Sequence, residues 1–370
     1  MNNSIPEFKI IHISDTHLGL SSMGVENPKT GMNTREMDGF QALDQMIEFA
    51  FQNNVKLVVH SGDVMNTKTV SQNTVNAFYS RIKRLSDANI DVFILQGNHD
   101  SSKNLSRLNG LDLAATLNIP NVYVTRGGDY TDLGYIQIVT VSYWNTAEEV
   151  SEQINEFAKQ VDWERPAVLV VHLQIDYPDF PGSFKADLPF VPVATLTSYP
   201  WTLIQAGHVH KPKVLNQNPF AFYVGSLVRC SATEEHDKKG FWISEIEGLK
   251  LKSIEQIEVD CLRFLTIKST MADLKTMMEK RIIDFSKAIV RIKIKETEDP
   301  IDDAFIREKF STAFKCIVEK ESDDKPKTKL NAVVGISMDA YLQSYFEKDD
   351  DKDELMALIE ELKEEATLER

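Results

Sequence analysis

The feature that most constrains this chain is a repeated junction between a β-branched apolar run and a short motif rich in Asp, His and Asn. Residues 8–14 lead into Asp15-Thr16-His17, residues 56–61 into Gly62-Asp63, and residues 91–96 into Gly97-Asn98-His99-Asp100. Further on, residues 167–171 end at His172, and residues 202–206 end at Gly207-His208-Val209-His210. The runs read as strands and the motifs as loops at their C-terminal ends. Helical spacing of apolar residues lies between them, over Thr34–Gln52 and residues 71–88, 106–117 and 147–161. Alternating strands and helices predict an α/β domain with sheets at its centre. Ligand-binding residues of open α/β sheets gather beyond the carboxyl ends of the strands, where all five motifs fall.

The residue types in the motifs fit one purpose. Carboxylates, imidazoles and a single amide oxygen suit divalent ions such as Mn(II), Fe(II) or Zn(II). None of the five motifs contains cysteine, which argues against a structural thiolate site. Asp15, His17, Asp63, Asn98, His172, His208 and His210 are too many ligands for one ion with open coordination. They suit two ions bridged by Asp63, and a pair spaced by about 3.5–4 Å can clamp both the attacking and the departing oxygen of a phosphoryl transfer. Any one motif could be an ordinary turn, so the signal lies in their order and in each following a strand. The other histidines give a contrast: His12 and His60 lie inside strands and His236 in a polar loop.

This order of motifs resembles the calcineurin-like metallophosphoesterase superfamily. The flanking residues HISDTHLG, HSGDVMNT, LQGNHD, VVHLQ, AGHVH and YVGSLVRCSATEEHDKKGF resemble the SbcD family of DNA repair nucleases, called Mre-eleven in eukaryotes and archaea. The resemblance implies a layered metallophosphoesterase β-sandwich flanked by helices over residues 1–255. A small α+β capping domain would follow at 256–330, with C-terminal helices at 331–370. It implies one ion on Asp15, His17 and His210, a second on Asn98, His172 and His208, and Asp63 shared. His99 would face the phosphate as the catalytic side chain. The implied activity is Mn-dependent exonuclease and endonuclease cleavage of DNA in end processing and double-strand break repair. The implied partners are DNA, a second copy of the chain, and an SbcC-type ABC ATPase. One departure stands at Asn66, where archaeal members carry a His. The alternatives are a cyclic-nucleotide phosphodiesterase, a protein phosphatase, or a scaffold of the same fold without chemistry. The phosphatase pattern Gly-Asp-x-x-x-Arg-Gly is absent, since Lys68 follows Thr67 here.

Composition bounds the remaining choices. The chain has 370 residues, long enough for one large and one small unit. Cys230, Cys261 and Cys316 are widely spaced and odd in number, as in a protein of a reducing compartment. No apolar run approaches the roughly 20 residues that span a bilayer, and no leader pattern opens the chain, so a cytoplasmic protein is expected. Net charge is −15, and the stretch from Tyr345 to Arg370 supplies much of it, with eleven acidic against four basic residues. In the same stretch Leu355, Leu358, Ile359 and Leu362 recur at helical spacing. With the family resemblance, this stripe is the candidate docking surface for the ATPase.

Overall fold

The computed structural model describes residues 7–101, 108–142, 146–177, 190–280, 284–295, 300–321 and 332–333. The chain divides into two compact units, Met1–Phe264 and Leu265–Arg370. The first reaches beyond residue 255 because Lys250–Glu258 pairs along Gly240–Glu247, and Cys261 and Leu262 after it are buried.

Two six-stranded sheets build the first unit. One has the order Lys250–Glu258, Gly240–Glu247, Phe8–Ile13, Val55–His60, Asp91–Leu95, Val122–Thr125. The other has Lys213–Gln217, Phe220–Tyr223, Leu203–Gly207, Ala167–His172, Gln137–Val141, Asp129–Asp132. Four adjacent strands of each sheet run parallel, so their C-terminal ends lie on one side.

Side chains alternate across each strand, and the alternation defines the layers. Ile10, Leu57, Val59 and Phe93 of the first sheet meet Val168, Val170, Leu203 and Phe222 of the second. On the outer face of the first sheet, Ile11, Val58 and Ile94 pack against Leu43 and Met46 of helix Thr34–Gln52 and Phe78 of helix Gln72–Asp87. On the outer face of the second, Leu169, Val171 and Ile204 pack against Val150 and Ile154 of helix Ala147–Ala158. The fold is therefore the expected β-sandwich flanked by helices, with each large apolar side chain contributing about 1.5–3 kcal/mol by its burial. One polar bridge crosses the sandwich. Gln205 Nε2 donates to the carbonyls of Ile13 at 3.2 Å and Val59 at 3.1 Å. Its Oε1 accepts from His12 Nδ1 at 2.7 Å, and His12 Nε2 accepts from Ser244 at 2.7 Å. Both sheets are thereby fixed close to the strand ends that carry the motifs.

Helix starts follow local capping rules. The Asn33 side chain accepts from the Arg35 N–H, and Ser71 accepts from the Thr74 N–H. The apolar stripe Val75, Phe78, Ile82 and Leu85 is buried in the unit's own core. The helix expected over 106–117 is shorter in its described part, a single turn at Gly110–Asp112 followed by Leu113–Leu117. Leu108, Leu113 and Leu117 there are exposed, at 80%, 39% and 53%.

The second unit has a four-stranded sheet in the order Arg263–Ser269, Ala288–Lys295, Lys315–Glu321, Ala332–Val333. Helices Met271–Lys280 and Asp303–Lys309 connect the first three, giving the small α+β unit its expected β-α-β-α-β order. Leu274, Val290, Ile292, Ile306, Phe310 and Val318 form its core. The stripe Leu355, Leu358, Ile359 and Leu362 lies outside the described residues. Among the described residues no helix is long and apolar enough to cross a membrane.

Candidate metal centre

The parallel strands bring all five motifs together at one end of the sandwich. Asp15 donates its N–H to the Gly62 carbonyl at 2.9 Å, and His17 donates to the Asp63 carbonyl at 3.1 Å. Asp100 ties the second loop to the third: its carboxylate accepts from the N–H groups of Val64 at 3.1 Å, Met65 at 2.7 Å and Gly97 at 2.8 Å. Burial and the nearby Asp63 push Asp100 up to about 7, against the pull of those three donors. Asp15, His17, Asp63 and His208 all take positive φ, at 49°, 43°, 55° and 93°. Non-glycine residues hold that conformation only where the surroundings impose it, at a cost of roughly 1–3 kcal/mol each. Gly97 is required for a different reason. A Cβ there would collide with Asp63 Oδ1 and the Asp63 N–H.

The side chains form two groups that share Asp63. In the first, His17 Nε2 lies 3.0 Å from His210 Nε2 and 3.9 Å from Asp63 Oδ2. In the second, His172 Nε2 lies 3.1 Å from Asn98 Oδ1 and 3.4 Å from Asp63 Oδ1, and His208 Nδ1 lies 3.1 Å from the same Asn98 oxygen. The two oxygens of one carboxylate thus face different groups. Asp15 accepts the His208 N–H on both oxygens, at 3.1 and 3.2 Å.

These contacts lack protons where protons would be needed. His172 Nδ1 donates to the Ser61 carbonyl at 2.8 Å, so in the neutral ring that binds a metal its Nε2 carries the lone pair. That lone pair faces an amide oxygen and a carboxylate oxygen, both acceptors. His210 Nδ1 donates to Glu234 Oε1 at 3.0 Å, which turns the His210 Nε2 lone pair toward His17. A cation at the centre of each group resolves the conflict. Donors bound to one ion at about 2.0–2.1 Å lie about 2.9–3.4 Å apart, close to most of the separations here. The donor set therefore fits two divalent ions.

Electrostatics point the same way. Burial would keep His172 neutral, yet Asp63 and Asp15 pull it up to about 9. Burial works against Asp63 ionising too, but His172, His17 and His99 hold it well below the usual carboxylate range. Burial pushes His17 and His208 down to about 3, so both present lone pairs rather than charge. Asp63 and Asp15 thus draw positive charge into the pocket, held as a proton on His172 when the site is empty and supplied by a cation when one binds at its centre.

His99 stands at the rim. Its N–H donates to Asp63 Oδ1 at 2.8 Å, and its Nδ1 to the Asn66 carbonyl at 2.7 Å. It lines a cavity of about 780 Å³ together with Asn66, Thr67, Lys68, Thr69 and Asn98. The strand histidines are satisfied as expected, His12 by Gln205 and Ser244 and His60 by Thr16.

Sequence reasoning assigned no part to Glu234, Lys239 or Cys230, although all three lie in the quoted run YVGSLVRCSATEEHDKKGF. Glu234 orients His210, and Lys239 meets Glu234 Oε2 at 2.7 Å and donates to the His210 carbonyl at 2.9 Å. Burial would raise Glu234, but His210 and Lys239 keep it ionised, far below the usual range.

A centre of this composition at the strand ends of such a sandwich defines a class. The family model for calcineurin-like phosphoesterases matches residues 8–212, and the chain belongs to that family of phosphate-ester hydrolases. Relatives narrow the class. The chain is 24% identical over 334 residues to the DNA double-strand break repair protein Mre11 of Methanocaldococcus jannaschii, covering 85% of this chain and 84% of that protein. It is 24% identical over 277 residues to the protein of the same name from Methanococcus maripaludis, covering 70% and 69%. It is 25% identical over 280 residues to an SbcCD nuclease subunit of Staphylococcus saprophyticus, covering 68% and 71%. The resemblance read from the motifs is the one these relatives bear.

Proposed function

We propose that this protein is a Mn(II)-dependent DNA nuclease that cleaves phosphodiester bonds during end processing and double-strand break repair. The observation that carries the reading is the pair of donor groups sharing Asp63, open to a cavity large enough for a nucleotide. The names of the relatives support DNA as the substrate.

Asp15, His17 and His210 would hold one ion and Asn98, His172 and His208 the other, with Asp63 shared between the two groups. A bound ion pair supplies charge stabilisation of the phosphoryl group and a nucleophile at neutral pH. The chain's own residues do the rest. Asp100 and Gln205 fix the loops and sheets. His99, anchored by Asn66 through Nδ1–H, turns its remaining nitrogen to the phosphate, where the doubly protonated ring stabilises the transition state or passes its second proton to the departing oxygen, leaving a neutral ring. A positioned acid of this kind contributes about 10²–10⁴-fold.

The reading extends to partners. Leu108, Leu113 and Leu117 are exposed on the segment proposed to meet a second copy of the chain. The stripe Leu355, Leu358, Ile359 and Leu362 docks on an SbcC-type ATPase. The protein acts in the cytoplasm.

The test is hydrolysis of single- and double-stranded DNA and of a cyclic nucleotide with Mn(II), with and without an SbcC-type partner. Cleavage of DNA supports the reading. Hydrolysis of the cyclic nucleotide alone overturns the substrate, and no hydrolysis of any of them overturns the chemistry. Deleting residues 337–370 should abolish ATPase binding and spare cleavage of short single-stranded DNA.

A further inference from the structure

The first donor group contains a side chain that the paired-ion reading does not use. The Cys230 sulphur and one ring nitrogen each of His17 and His210 all lie within 4.8 Å of one another. Around one ion with bonds of about 2.3 Å to sulphur and 2.0–2.1 Å to nitrogen, sulphur and nitrogen would lie about 3.1–3.5 Å apart.

The segment carrying Cys230 is held toward the centre. Its N–H donates to Glu234 Oε2 at 3.1 Å, while Oε1 of the same carboxylate accepts from His210 Nδ1 at 3.0 Å. One carboxylate thus sets both the orientation of the His210 ring and the position of Cys230. The preceding residue is fixed as well: buried Arg35 donates to the Arg229 carbonyl, and Arg229 donates to the Asp237 carbonyl at 2.8 Å. The thiol itself makes a long contact, 3.8 Å to the Val228 carbonyl, and is partly open. His17 is 4% exposed, and its Nε2 faces His210 Nε2 at 3.0 Å, where two nitrogens can share one ion.

We propose that Cys230 is an additional ligand to the ion held by His17 and His210, making that position softer than the one held by Asn98, His172 and His208. This rests on the paired-ion reading and adds to it. A thiolate with two imidazoles favours Zn(II), Fe(II) or Co(II), whereas an amide oxygen, a carboxylate and imidazoles accept Mn(II) readily. The two positions then differ in preference, and binding at the first releases the thiol proton.

Co(II) is the probe. The full chain is titrated anaerobically, with bound cobalt counted and the near-ultraviolet spectrum recorded. The expected result is two bound cobalt ions and a thiolate-to-cobalt charge-transfer band. Cys230→Ser keeps the stoichiometry and loses the band, whereas Cys261→Ser and Cys316→Ser keep both. In Zn(II)–Mn(II) competition, Cys230→Ser should weaken zinc at one position by about tenfold or more. Two cobalt ions without the band in the wild type, or a band that survives Cys230→Ser, overturns the proposal and leaves the paired-ion reading intact. Cobalt that never binds overturns the paired-ion reading itself. Should the Ser variant not fold, iodoacetamide labelling of the wild type decides. Zn(II) should protect Cys230, read by peptide mass, and labelling unaffected by saturating zinc contradicts ligation.

Discussion

The two halves of the centre are built differently. The half around His172 is anchored in the sandwich: that ring has no exposure, and its Nδ1 is tied to the Ser61 carbonyl. In the other half the His210 side chain is 28% exposed, and it is oriented by Glu234 from a loop rather than by a strand. The His172 ring is therefore fixed by the folding of the sheets, and the His210 ring by a buried carboxylate and a buried lysine. Asp63 belongs to both, so the halves are coupled through one side chain.

Removing the shared residue erases the comparison and gives the largest effect. Asp63→Ala should lose both ions and reduce hydrolysis to background, by metal analysis and a DNA cleavage assay. An ion retained at full occupancy would show that the halves are independent. His99→Gln should leave both ions in place and lower turnover by roughly 10²-fold or more. Near-normal turnover would remove His99 from the chemistry.

Glu234→Gln sharpens the contrast. It should weaken one ion by about 10–100-fold, as loss of an orienting partner does elsewhere, and leave the other unchanged. Equal loss of both, read by competition with a chelator, would mean that the halves are not separable. A smaller effect is expected at the cavity mouth, where Lys68 is exposed beside His99. Lys68→Ala should reduce the salt dependence of DNA binding by about one phosphate contact, without changing hydrolysis of a small phosphodiester.

The core beneath the centre predicts a pH effect on stability. Burial holds His12 down to about 4, so it is neutral in the folded protein. The unfolded chain binds that proton near pH 6.5, so stability is full above this pH and falls as pH drops toward 4. The loss from this one residue is at most about 3 kcal/mol. His12→Gln should flatten the decline in urea midpoint between pH 7 and 5, and an unchanged slope would place the acid sensitivity elsewhere.

Much of this was legible in the sequence, for physical reasons. Helix Thr34–Gln52 has the limits its apolar spacing gives, because the Asn33 cap and the period agree. The motif residues converge because each follows a buried, β-rich strand whose direction the fold shares. Some of what escaped lacks such a signal, although Val122–Thr125 and Gly240–Glu247 are apolar, β-rich runs with no polar motif at their ends. Asp129–Asp132 and Lys250–Glu258 are edge strands rich in charged residues, and neither has the continuous apolar run of a buried strand. Glu234, Lys239 and Cys230 reach the centre through loop geometry, and no spacing in the sequence reports that distance. Their roles emerge only once Glu234 is seen to join His210 to Cys230.

The central claim is that Asp63 joins two ion positions in one phosphoesterase centre. Its most direct test is metal analysis of the full chain equilibrated with saturating Mn(II), with Asp63→Asn alongside. The account predicts about two ions in the wild type and a loss of both in the variant. A wild type that never exceeds one ion, or a variant that keeps two, would contradict it.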